Sequence, residues 1–182
     1  MTHPQNHRRV PKRPVTVLLI IATILGCLDE RPPAPSHTDL PNGDEILVIV
    51  IAASWCHGIE EPGFREALAS LQRELPREAE RQGLEVDFVG VALDWNTDDG
   101  VRLLRTLARF DEMVVGRNWV NMAMIEYVWR EQKGSPAVPQ IVLVRRHVTS
   151  GLSVITVGPD QLLGRFLGAK EIETWSKQSS HF

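Results

Sequence analysis

The feature that most constrains this chain is residues 46–53, Ile-Leu-Val-Ile-Val-Ile-Ala-Ala, an unbroken apolar run rich in β-branched residues. Such a run reads as a central strand buried on both faces, which calls for a parallel or mixed sheet with layers packed above and below it. At 182 residues the chain suits one domain of that kind and is short for two. Folding is expected to begin near Glu45, giving a domain over residues 45–182.

Downstream, the periods alternate. Phe64, Leu68, Leu71 and Leu75 recur at helical spacing, Gly83 supplies a C-terminal stop, and Pro76 is expected to kink or divide the helix. Residues 84–93 read as a second strand, and Thr97 as the N-cap of a helix carrying Val101, Leu104 and Leu107/Ala108. A further helical stretch spans residues 111–134, with Val120, Ala123/Met124, Tyr127 and Val128 on one face. Residues 140–148 and 153–158 are too closely linked for a parallel crossover and read as a hairpin. Residues 159–175 close the chain as a helix interrupted at Gly168. The expected class is α/β, a mixed sheet with helices on both faces and a helical insertion before the hairpin.

Ahead of this body lies a segment of different character. Arg8, Arg9, Lys12 and Arg13 precede an uncharged apolar run over residues 15–26, with Cys27 directly after it, the pattern of a secretory signal. Twelve residues span about 18 Å as a helix, short of a ~30 Å hydrocarbon core. The ending Ile-Leu-Gly-Cys resembles a bacterial lipobox, which implies a lipoprotein-type signal over residues 1–26, lipidation at Cys27 and an envelope protein anchored to a bacterial membrane. An uncleaved anchor and an unlipidated secreted form are the alternatives. Residues 27–44 hold four of the twelve prolines (Pro32, Pro33, Pro35, Pro41) and few large apolar side chains, and read as a tether.

Composition narrows the partners. With 43% hydrophobic and 24% charged residues the chain is neither fibrous nor mucin-like. Four of its 20 basic residues precede the first acidic one, so the remainder carries 16 basic against 23 acidic, a net −7. An acidic body without a basic stripe argues against nucleic acid.

The chemistry concentrates at Ser54-Trp55-Cys56-His57-Gly58, between the buried strand and the first helix. Free N–H groups at a helix start favour a thiolate over a thiol. With Cys27 lipidated, Cys56 is the sole thiol and no internal disulfide can form. Trp-Cys at this junction, the element order, and Val138-Pro139 ahead of the hairpin together resemble the thioredoxin-like superfamily, in particular its membrane-tethered extracytoplasmic members. The resemblance implies a cis proline at Pro139 packed beside Cys56, with Trp55 as part of the active segment and Val138 offering its backbone to a substrate.

One departure limits what the resemblance can imply. The family's Cys-x-x-Cys has Ile59 at its second position here, and without a resolving thiol a mixed disulfide cannot be released from within the chain. Cys56 stands as either a reactive monothiol or a small inert hydrophobe. His57 either assists the thiol or a substrate, or points to solvent. Trp119, in Gly-Arg-Asn-Trp of the insertion, either lines a substrate groove near Cys56 or packs the insertion onto the core. Asp94-Trp95-Asn96-Thr97-Asp98-Asp99 reads as a strand end and helix cap rather than a metal loop. No metal or cofactor is expected. Two functions follow: a monothiol redox protein exchanging with an envelope protein or small thiol, or a redox-inactive module binding peptide or protein.

Overall fold

The computed structural model describes residues 42–130, 135–151 and 153–182, so the expected signal, the expected lipidation at Cys27 and nearly all of the expected tether lie outside the described residues. The described chain is α/β, built on a six-stranded mixed sheet. Strand β1 (Gly43–Ala52) is central, and α1 (Pro62–Gln82) leads to β2 (Glu85–Ala92), which pairs with β1 in parallel. Next, α2 (Thr97–Leu107) leads to a short parallel edge strand, β3 (Glu112–Val114). On the other side of β1 lies antiparallel β4 (Gln140–Ser150), itself paired antiparallel with both β5 (Ile155–Val157) and β6 (Gln161–Leu167). Helix α4 (Gly168–Ser176) follows.

Side-chain alternation along β1 divides the core. Ile46, Val48, Val50 and Ala52 pack with Phe64, Leu68 and Leu71 of α1, Leu103 and Leu104 of α2, and Ile172 and Trp175 of α4. Leu47, Ile49, Ile51 and Ala53 face the opposite layer, formed by Ala123, Met124 and Val128. Residues 46–53 are all essentially buried, and each large aliphatic side chain so placed contributes roughly 1.5–3 kcal/mol. Helices thus cover both faces, as the unbroken apolar run requires.

Several boundaries differ from the sequence reading. Folded structure starts at Gly43, and Asp44 already pairs with Arg145 and His147 of β4, so the last tether residues belong to the sheet. Helix α1 runs through Pro76 undivided, because Leu75 and Ala79 on either side are buried and offset the missing backbone bond. The N-cap of α2 is Asn96, whose side chain accepts from the Asp98 N–H at 2.9 Å, one residue ahead of Thr97.

The described part of the stretch 111–134, residues 111–130, is not one helix. It supplies β3, a 3₁₀ turn (Asn118–Val120), α3 (Met122–Met124) and a π-helical stretch (Ile125–Arg130). Gly116, Arg117 and Asn118 in succession have φ of 82°, 58° and 48°, a left-handed run that no right-handed helix can pass through.

The largest correction concerns residues 159–175, whose first half is strand β6. Leu162, Leu163, Phe166 and Leu167 fit helical spacing and a strand equally well. β5 reaches only residues 148–150 of β4, and a helix at 161–167 would leave the other half of that β4 edge without a partner. Among the described residues no helix is long and apolar enough to cross a membrane.

Candidate functional site

β1 and β2 end side by side at Ala52 and Ala92. Just beyond, Asp94 is buried and its carboxylate accepts from the Ser54 N–H at 3.3 and 3.4 Å and from the Ser54 hydroxyl. This clamp fixes the direction in which the chain leaves β1. Two residues on, the Cys56 N–H donates to Ala53 O at 3.0 Å, closing a tight turn.

Cys56 does not start the long helix. It is the extended residue ahead of a 3₁₀ turn (His57–Ile59), and α1 begins at Pro62 after the N-cap Glu61. The expected stack of helix N–H groups at the sulfur is therefore replaced by a single turn. The half-buried thiol donates to Val138 O at 3.1 Å, across 82 residues of sequence. The Val138–Pro139 bond is cis, and Gly58 packs against the Pro139 ring. Gln140, fully buried, steadies this approach. Its amide donates to Ala137 O at 2.8 Å while its carbonyl accepts from Arg165 at 3.1 Å, and Arg165 also donates to Tyr127 O at 2.8 Å.

The other expected residues fall in different surroundings. Trp55 is 55% exposed, and Trp95, at the matching position after β2, is still more so. The His57 side chain is 99% exposed and lies 3.6 Å from Glu60. Trp119, Cys56 and Val138 all pack against the cluster of Ile49, Ile51 and Met124. Trp119 is held there through its carbonyl, which accepts from Trp129 Nε1 at 2.7 Å, the two rings 6.2 Å apart. Ile59 is buried on the opposite core face with Phe64 and Leu68.

Beside Ser54 lies an open cleft of about 490 Å³ between the start of α1 and one face of α2. Both of its guanidinium groups are engaged: Arg65 donates to Thr106 O at 3.1 Å and Arg102 pairs with Asp99 at 3.0 Å. Among the described residues no group of three or more His, Cys, Asp or Glu could hold a metal ion.

Asp94, Gly58, Gln140 and Arg165 were missed as site-building residues. Asp94 carried a signal, an acidic residue directly ending a buried strand, but its partner at Ser54 is 40 residues away. Comparison with known proteins finds no match to this chain among family models, curated proteins or solved structures.

Proposed function

We propose that the described chain is a thioredoxin-like domain of the cell envelope that works through the single thiol of Cys56. The observation carrying this reading is the placement of Cys56 Sγ against Val138 O and the cis Val138–Pro139 pair, brought in from a distant strand. The strand order β2-β1-β4-β6, with α1 after β1 and α4 after β6, supports the fold.

The chemistry is disulfide exchange. The Cys56 thiolate attacks one sulfur of a partner disulfide, a new bond forms between Cys56 and that sulfur, and the other sulfur leaves as a thiolate. With Ile59 buried where a resolving cysteine would stand, release needs a second, external thiolate that attacks the mixed disulfide and frees Cys56. The partner is a small thiol or an envelope protein presenting one. Trp55 and the Val138 backbone flank the exchange, while the His57 side chain stands in solvent and belongs to the surface beside the sulfur.

A second reading draws on the same hydrogen bond: a thiol donating inward to Val138 O is partly withheld from solvent, as suits a peptide-binding module with a residual cysteine. The separating experiment treats full-length protein with an aromatic disulfide and follows the released thiolate, beside Cys56→Ser to remove any contribution of Cys27. One equivalent released faster than from the urea-unfolded chain, then recovery of Cys56 on adding a small thiol, supports the redox reading. Release slower than from the unfolded chain overturns it in favour of the binding module.

A further inference from the structure

Two groups of exposed apolar side chains stand at opposite ends of β1. Trp55 and Trp95 follow the ends of β1 and β2 on the Cys56 side, whereas at the far end Val154, Ile155 and Val157 are 67%, 54% and 51% exposed on the β4–β5 hairpin. Ile155 and Val157 pair with Ser150 and Val148, and cross-strand partners share a face, so the two point the same way with Thr156 opposite. Leu162, opposite Val144, continues the stripe on that face. An apolar hairpin with an open outer edge is a liability unless something covers it.

The place where the chain enters the fold identifies the cover. Gly43 pairs with Val148, and Val148 with Val157, so β1 begins beside the base of this hairpin. The Asn42 side chain accepts from the Ser150 N–H at 3.3 Å. The chain therefore enters the domain at the hairpin end. Sixteen residue steps separate Cys27 from Gly43, a reach of at most about 55 Å. The nearby polar groups are taken, with Arg145 and the His147 ring bonded to Asp44 and Arg146 paired with Glu45, so any contact here is apolar rather than electrostatic.

The geometry points to the β4–β5 hairpin as a membrane-seating surface: Val154, Ile155 and Val157 enter the interfacial region of the bilayer that residues 1–27 address. This rests on the membrane address read from those residues. Seated so, β1 stands away from the lipid, and its length of about 30 Å carries Cys56 outward, toward partners in the aqueous compartment or on tall extramembrane domains.

The test uses full-length protein reconstituted with phosphatidylcholine vesicles, plain or with brominated acyl chains that quench tryptophan on contact. Trp55 and Trp95 stand on the Cys56 side, Trp119 and Trp129 pack on each other and Trp175 is buried, which makes the wild type a low-quenching baseline, and Val154→Trp places a reporter on an exposed site. Flotation with the vesicles, together with roughly two-fold bromolipid quenching of the added fluorescence and little change in the wild type, is the expected result for side chains ~5–10 Å into the headgroup boundary. Because the contact is apolar, raising salt leaves that quenching in place. Flotation with an unquenched reporter overturns the hairpin assignment and leaves the membrane address standing. Failure to float overturns both. An unquenched reporter in a protein that sediments as a dimer assigns the hairpin to a second copy and overturns the membrane seat.

Discussion

Gly58 lies so close to Pro139 that a Cβ at position 58 would stand 2.7 Å from the proline Cδ and 3.6 Å from Cys56 Sγ. The turn carrying the thiol and the strand carrying the cis peptide are thus in contact through the one residue lacking a side chain. Gly58→Ala forces one of them to move, an overpacking cost of about 1–3 kcal/mol. Urea unfolding should register that loss, and alkylation of Cys56 should speed up as the bond to Val138 O is disturbed. Unchanged stability with unchanged alkylation would contradict the contact.

The Asp94 clamp on Ser54 makes a graded prediction. Asp94→Ala leaves the Ser54 N–H and hydroxyl without their shared acceptor and should cost about 1–3 kcal/mol. Asp94→Asn keeps one acceptor oxygen and should cost less. Denaturant midpoints of the two variants test the order, and a harmless Asp94→Ala would show that the clamp does not hold the end of β1.

Glu78 of α1 ties down the C-terminal residues. Burial alone would raise its carboxyl, but hydrogen bonds from the His181 ring at 2.8 Å, the His181 N–H and the Ser180 hydroxyl outweigh it and hold the carboxyl below its ordinary value of 4.5. A carboxyl lowered on folding adds stability that is fully present above the unfolded value and is lost as pH falls through the folded one. Unfolding free energy measured downward from pH 6 should therefore decline from about pH 4.5, and Glu78→Gln should flatten that part of the curve. An identical pH profile in Glu78→Gln would rule the latch out as its source.

Ile59 closes the turn that Cys56 opens, its N–H donating to Cys56 O at 3.3 Å, so the two residues stand at the ends of one tight turn although their side chains pack into different core layers. Ile59→Cys should therefore form a reversible disulfide with Cys56 and convert stalled mixed disulfides into complete exchange. Thiol counting by mass, with Cys56→Ser, Ile59→Cys as the control for Cys27, reads this out. A folded Ile59→Cys protein keeping both thiols free under oxidant would separate the two side chains and remove the thioredoxin-type reading of this turn.

The sequence by itself determined the layered α/β plan, because residues 46–53 offer no polar face and must be covered on both sides. It also placed Trp55 and Cys56 at a junction between elements of clear period, and Gly83 as a helix stop, where a left-handed φ of 70° needs no Cβ, whereas Val138-Pro139 stood out only through the family resemblance. Only the tertiary structure decided what residues 111–117 and 161–167 become. Their local patterns fit helix and strand alike, and the choice falls to the open edges of β2 and β4, whose backbone groups need partners. The same holds for the site: Gly58 against Pro139, Asp94 holding Ser54, and Gln140 bridging Ala137 and Arg165 join residues whose neighbours in sequence carry no sign of one another. Periodicity reports which face of an element is buried, while pairing across the sheet is settled by the competition of whole strands for one another's hydrogen bonds.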